Sequence, residues 1–197
     1  MVELHTKDLT ESFVELLRRA ATVLPPDMEQ AIRAAEARED EGSAAEGALL
    51  TILDNVEMAR ELSTPVCQDT GTPIFEVYYP VGVSTRRLEQ QIRDAAALAT
   101  ARAYLRPNAV DPLTGKNSGD NTGEDYPTIH FHEWDGDGLH VDLLLKGGGC
   151  ENVSAQYKLP DTRLQAGRDL DGVRKVVLDA VYQAQGKGCA LGVLGVA

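Results

Sequence analysis

The chain has 197 residues, 43% of them hydrophobic, and a formal net charge of −12 at pH 7. That composition belongs to a globular protein of one domain, or one and a half, and not to a disordered chain. The acidic balance excludes the nucleic-acid and anionic-membrane classes, which want a basic face, but it admits a small anionic substrate wherever a few arginines reverse the potential locally.

Leu9 to Leu24 carries Phe13, Leu16, Leu17, Ala20 and Leu24 at helical spacing, and Pro25-Pro26 ends the pattern. A second helix opens at Pro26 or Asp27 and runs to Glu39; its alanine and charge content predicts a surface position. Ser43 and Glu46 have the spacing of a capping box, and Ala45, Leu49, Ile52, Val56 and Ala59 then mark a third helix to Leu62. Packing accounts for all three apolar stripes.

Pro65-Val66-Cys67-Gln68-Asp69-Thr70-Gly71-Thr72-Pro73 follows. Each proline fixes its own φ and pushes the residue before it out of the α region, so the segment reads as a shaped loop. It gathers a thiol able to bind metal or act as a nucleophile and a carboxylate able to move protons. The same residues also fit a polar turn around a structural cysteine. Ile74–Tyr79 reads as a strand, and Ser84 as the N-cap of a helix reaching Leu105, with Leu88, Ile92, Ala95, Ala99 and Ala103 inward. The stretch from Arg106 to Pro127 is long for an idle connection, which favours a binding or functional loop. Its Asp and Asn residues invite a calcium reading, but the EF-hand spacing is absent.

Thr128–Trp134 and Leu139–Leu145 flank Asp135-Gly136-Asp137-Gly138, which predicts a β-hairpin. His130 and His132 then share a face, while a turn centred on Gly136-Asp137 sends His140 to the other, against a three-histidine metal site. In Lys146-Gly147-Gly148-Gly149-Cys150-Glu151-Asn152 the glycines let backbone N–H groups approach an anion, although the P-loop spacing is missing. A last helix spans Leu170 to Gln185, with Val173, Val176, Val177, Ala180 and Val181 inward. The apolar run Leu191–Ala197 stands without a polar tail, which suggests a sequence cut in mid-fold. The expected fold class is α/β, with N-terminal helices followed by a mixed sheet with packed helices. Residues 1–197 form one domain, incomplete at its C-terminus, with a helical part at 1–62 and an α/β part at 63–197. Three widely spaced cysteines make no disulfide framework, and no secretory signal or bilayer-spanning run is read, so the expected compartment is the cytoplasm.

Four blocks in order, PVCQDTGTP (65–73), LRPNAVDPLTGKNSGDNT (105–122), KGGGCENVSAQYKLP (146–160) and QGKGCALGVLGV (185–196), resemble the α-subunit of the class I, iron–sulfur fumarate hydratases, a framework shared by the L-tartrate dehydratases. The resemblance implies a 4Fe–4S cluster held by three cysteines, with one iron open to substrate, and reversible hydration of fumarate to malate. Cys67 matches the family's first cluster ligand and Cys189 its second; Gln68, Asp69, Arg106 and Gly149 match residues that hold substrate, with Asp69 the candidate for proton transfer. Adding water to an activated double bond suits such a set: a Lewis acid, a proton donor or acceptor on the other side of the carbon skeleton, and cationic clamps on the dicarboxylate.

The family continues past position 197, where its third cluster cysteine lies, and its site is completed by a β-subunit or C-terminal domain in an oligomer. Cys150 stands where serine is expected and Leu191 where proline is expected. The resemblance therefore implies that the 197-residue chain alone does not turn over. Two other readings stay open: a zinc protein using Cys67, Cys189 and a histidine, which lacks the paired-cysteine spacing of most structural zinc sites, and a metal-free fragment that binds a partner.

Overall fold

The structure, a computed structural model, describes residues 7–188 and 194–197. It is α/β, and it divides into two compact units, the first ending at Gly147 and the second beginning at Gly148.

Three helices open the first unit: α1 (Thr10–Thr22), α2 (Pro26–Glu36) and α3 (Ala44–Leu62). The Ser43 hydroxyl caps α3 by accepting from the Glu46 amide at 3.1 Å, and the Glu46 carboxylate reaches back to the Gly42 amide. The first bond satisfies a donor that the first turn of a helix leaves without a partner, and the second ties the residue before the cap to the helix. The buried stripe of α3 is Leu53, Val56 and Ala59, while Ile52 is exposed. Val56 and Ala59 are buried as expected, and Leu53 takes the place expected for Ile52. Strand β1 (Thr72–Pro80) follows, then α4 (Thr85–Ala101), β2 (Thr128–Trp134) and β3 (His140–Lys146). Ser84 caps α4 through the Arg87 amide.

Helix α4 stops at Ala101, short of the expected Leu105. Pro107 disfavours the α region at Arg106, and Ala103 turns the chain with φ 61° while the Tyr104 amide bonds back to the Ala99 carbonyl at 2.9 Å. Leu105 consequently drops into the core at 2% exposure, and Arg106 leaves it.

The sheet order is β2-β1-β3, with β1 parallel to β2 and antiparallel to β3. The expected 128–145 hairpin is absent, because β1 lies between its two arms. A two-residue hairpin turn needs positive φ at one or both central positions, and neither Gly136 nor Gly138 adopts it. These glycines serve Trp134 instead. A Cβ on Gly136 would stand 2.5 Å from the indole, whose Nε1 donates to the Gly138 carbonyl at 3.0 Å. The register also corrects the histidines. Tyr78 pairs with both His132 and His140, so those two share a face with it; the Tyr78 ring stacks on His132 at 4.8 Å. The Nε2 atoms of His132 and His140 lie 2.6 Å from Glu76 and 3.1 Å from Asp142.

The opposite face carries Phe75 and Val77, fully buried, against α1 and α4. Phe13 meets Phe75 edge-on at 6.3 Å, and Leu17, Leu88, Ile92, Ala95 and Ala99 complete the core. The alanines of α4 let the helix sit close to its neighbours.

The second unit holds a 3₁₀ turn (Gly149–Val153) and α5 (Leu170–Ala184), whose N-cap Asp169 accepts from the Gly172 amide at 2.7 Å. Of the inward set expected for α5, Val176 is buried and Val181 is 47% exposed. The anchor of this unit is polar: Asp179 accepts from the Tyr157 hydroxyl and from Arg163, each at 2.8 Å. Among the described residues no helix is long and apolar enough to cross a membrane.

Candidate functional site

The site is built where β1 and β2 begin and β3 ends. The loop between α3 and β1 is tied at its start: the Val66 amide donates to Ala21 of α1 at 2.9 Å, and Asn55 of α3 donates to the Val66 carbonyl at 2.8 Å. Its tip, Cys67, Gln68 and Asp69, is exposed, and the Cys67 thiol is free. Its far end is buried. The Asp69 carboxylate accepts the Gly71 amide at 3.1 Å, a local turn that fixes the carboxylate to its own loop.

Gly71 shows why this loop needs a glycine. Its φ is +76°, and a Cβ there would lie 2.6 Å from the Lys146 carbonyl carbon and 2.9 Å from the Gly147 nitrogen. The loop thus rests on the last residue of β3. Gly147 in turn lies against Asp69, since a Cβ on it would meet the carboxylate oxygen at 2.9 Å. The glycine run therefore brings backbone beside a carboxylate at its first member.

The third wall is the chain leaving α4. The Arg106 amide donates to the Thr70 hydroxyl at 3.1 Å, and its guanidinium donates to the Gln68 carbonyl at 3.2 Å. Asn108 donates from its side chain to the same Thr70 hydroxyl at 3.1 Å. Tyr126 closes the group by donating to the Gly71 carbonyl at 3.4 Å. Burial, with the nearby Asp69 charge, pushes the Tyr126 phenol above its ordinary range.

Cys67, Gln68, Asp69 and Arg106 thus come together in the first unit, with Gly147 beside Asp69. Gly149 belongs to the second unit, and Cys189 lies outside the described residues. Thr70, Asn108, Asn121 and Tyr126 hold this assembly in place, and the sequence reading gave none of them a role. Their signal is faint: they bond to residues 12 to 55 positions away. The long 106–127 loop stays without regular elements except for two isolated bridges. Its Asp111 carboxylate accepts the Leu113 and Thr114 amides, which hold its pKa below the ordinary carboxylate value. Two clefts of about 390 and 420 Å³ run along α4 around Arg93, and neither is lined by Cys67, Asp69 or Arg106.

Chemically, the site offers one exposed thiol and one carboxylate on the loop before β1 and one guanidinium on the connection after α4. Among the described residues no group of three His, Cys, Asp or Glu side chains could hold a metal ion. Cys67 has the exposure and softness of a thiolate ligand, so it fits an iron–sulfur cluster as one donor of several.

Residues 10–197 match the model of the fumarate hydratase (Fumerase) family. The chain is 49% identical over 191 residues to a protein of Geobacillus stearothermophilus named as a class I fumarate hydratase, covering 95% of this chain and 37% of that one. It is 32% identical over 195 residues to a protein of Methanocaldococcus jannaschii named as an L(+)-tartrate dehydratase subunit alpha, covering 95% and 66%. The L(+)-tartrate dehydratase subunit alpha of Escherichia coli K12 is 28% identical over 199 residues, covering 95% and 61%. The chain therefore spans between about a third and two thirds of the length of these relatives.

Proposed function

The chain belongs to the fumarate hydratase (Fumerase) family, and from that premise we propose that it forms one wall of a hydro-lyase site catalysing the reversible hydration of fumarate to malate. The observation that carries this reading is the pinning of the Cys67–Gly71 loop to Arg106 on one side and to Lys146–Gly147 on the other. A thiol, a carboxylate and a guanidinium on one rigid frame suit a small dicarboxylate.

The roles follow from the groups. A guanidinium has five N–H donors in a fixed fork, and Arg106 engages one Nη with Gln68, leaving donors to take a substrate carboxylate bidentately. Lysine would not reproduce that geometry. The Gln68 carboxamide holds carboxylate oxygens, and by the family resemblance Gly149 is a further substrate residue. Asp69 moves the proton at the carbon that gains or loses hydrogen. Cys67 and Cys189 would hold a 4Fe–4S cluster, which when bound supplies Lewis-acid activation of the hydroxyl oxygen. The enzyme works in the cytoplasm, and the site is completed by a second subunit or further domain, as the name subunit alpha implies for the relatives that bear it.

The test is anaerobic iron and sulfide analysis, with fumarate followed by absorbance, on the enzyme assembled with the regions its longer relatives carry. We expect Cys67→Ser and Cys189→Ser to lose iron, and Asp69→Asn to keep iron and lose turnover by about 100-fold or more. The 197-residue chain alone should show negligible turnover. Full iron content in Cys67→Ser would sink the assignment. L(+)-tartrate, run in parallel, tests the alternative substrate.

A further inference from the structure

Asn121 lies in the middle of the 106–127 loop and is fully buried, at 0% exposure. A buried carboxamide needs its hydrogen bonds met, and this one has two acceptor and two donor positions to fill. All four are used. Its Oδ1 accepts the Asn108 amide at 2.7 Å and the Ala109 amide at 3.2 Å. Its Nδ2 donates to the Thr100 hydroxyl at 2.9 Å and to the Arg106 carbonyl at 2.7 Å. The backbone at Asn121 is left-handed, φ 58°, a conformation that asparagine tolerates better than most residues. The turn is held by Asp120, which accepts from the Thr122 amide and hydroxyl at 3.0 and 2.8 Å.

These bonds converge on one residue. The Arg106 carbonyl is fixed by Asn121 and the Arg106 amide by Thr70, itself buried at 6% exposure. Both backbone groups of an exposed arginine are therefore gripped by buried side chains from distant parts of the sequence. Through Thr100 the same grip reaches the last turn of α4. An arginine that only solubilised a loop would need no such frame. A clamp for a planar carboxylate does, because bidentate geometry degrades with small displacements.

We propose that Asn121 is a positioning residue for Arg106: together with Thr70 it sets the backbone from which the guanidinium meets a carboxylate of the substrate. The inference rests on the assignment of Arg106 to dicarboxylate binding. Asn121 touches no substrate. Asn121→Asp keeps the size and the acceptor half but places an anionic oxygen against the Arg106 carbonyl. Asn121→Gly keeps the left-handed backbone and removes the side chain. Thr70→Ser keeps the hydroxyl and Thr70→Val deletes it.

The experiment has two readouts. Amide hydrogen exchange on the chain follows the Arg106 amide, which Asn121 does not itself bond, with Val77 in β1 as the control. Steady-state kinetics on the assembled enzyme follow KM and kcat for fumarate. We expect Asn121→Gly and Asn121→Asp to speed exchange at Arg106 about tenfold or more while Val77 is unchanged. KM should rise about tenfold or more with iron content kept. In an Arg106→Met background the Asn121 change should add no further loss, since residues acting through one another are non-additive. Thr70→Val should repeat the pattern and Thr70→Ser should restore it. Unchanged exchange at Arg106 in both Asn121 variants overturns the inference, as do additive losses in the double variant. An unchanged KM in Arg106→Met overturns the substrate role of Arg106 and the functional half of the inference with it, whatever the exchange shows.

Discussion

Replacing Gly71 by alanine should damage the site more than any exposed change on the same loop. Two terms add. The φ of +76° is unfavourable to any residue with a Cβ, at roughly 1–2 kcal/mol. The new methyl would also stand 2.6 Å from the Lys146 carbonyl carbon, 2.8 Å from its oxygen and 2.9 Å from the Gly147 nitrogen. All three are backbone atoms at the end of β3 and cannot swing aside, so the loop must lift, and overpacking of this kind costs about 1–3 kcal/mol. Together the loss is on the order of 2–5 kcal/mol, which for a unit of this size is a fall in Tm of roughly 5–15 °C.

Gly115 is the matched control. Its φ is +68°, but a Cβ there meets nothing within 4 Å. Gly115→Ala carries the backbone term without the contact, so the difference between the two variants isolates the contact of the Cys67 loop with β3. Thermal unfolding by circular dichroism measures both. Lifting the loop also loosens the bonds that Asn108 and Tyr126 make to the Gly71 carbonyl, each at 3.4 Å, so the Tyr126 phenol should gain solvent. If Gly71→Ala falls no further in Tm than Gly115→Ala, the close approach of loop and strand is not as described, and the frame around Asp69 fails with it.

Asp179 should titrate near 2, held down by hydrogen bonds from Arg163 and Tyr157. Its folded-state pKa lies below the unfolded value, so its contribution to stability is full above about pH 4 and lost as pH falls through 2; Asp179→Asn should flatten that acid limb, and an NMR midpoint near the ordinary carboxylate value would contradict the geometry. Gly136→Ala should displace the indole of Trp134, because the new methyl would come within 2.5 Å of it. As the chain has one tryptophan, its emission should shift, and an unaltered spectrum would refute the packing.

The helices and strands were legible because their signals are local. Ser43 and Ser84 stand at their N-caps, and Phe75 and Val77 alternate with half-buried neighbours as a strand with one core face should. The strand order was not legible. Asp135-Gly136-Asp137-Gly138 satisfies every local condition for a hairpin, yet β2 and β3 each pair with β1 instead. That choice depends on where α1 and α4 bury Phe75 and Val77, which no window around residue 136 contains. The Cys67 loop was readable from its prolines and its mixture of functional groups. Asn121 was not, because its four bonds reach Thr100, Arg106, Asn108 and Ala109, and asparagine in a polar loop looks the same whether it is buried or exposed.

The position of the site in the sheet gives Arg106 a further reason. In open α/β sheets, ligands usually bind beyond the carboxyl ends of parallel strands, where helix N-termini favour anions. Here β1 and β2 are parallel, with α4 as the crossover, and the carboxyl ends lie at Pro80 and Trp134. The Cys67 loop, Tyr126 and Lys146–Gly147 all lie at the other end, because β1 and β2 start there and the antiparallel β3 finishes there. Helix α4 delivers its C-terminus to this end, and its last turn is linked through Thr100 and Asn121 to the Arg106 carbonyl. A helix C-terminus carries partial negative charge and disfavours an anion, as does the net charge of −12 at longer range. On the proposed function, a dicarboxylate bound here gains nothing from the helix, which leaves its charge to other donors, the Arg106 guanidinium first among them. The rigid backbone frame around Arg106 is what a site needs when its cation must work against the field of the fold.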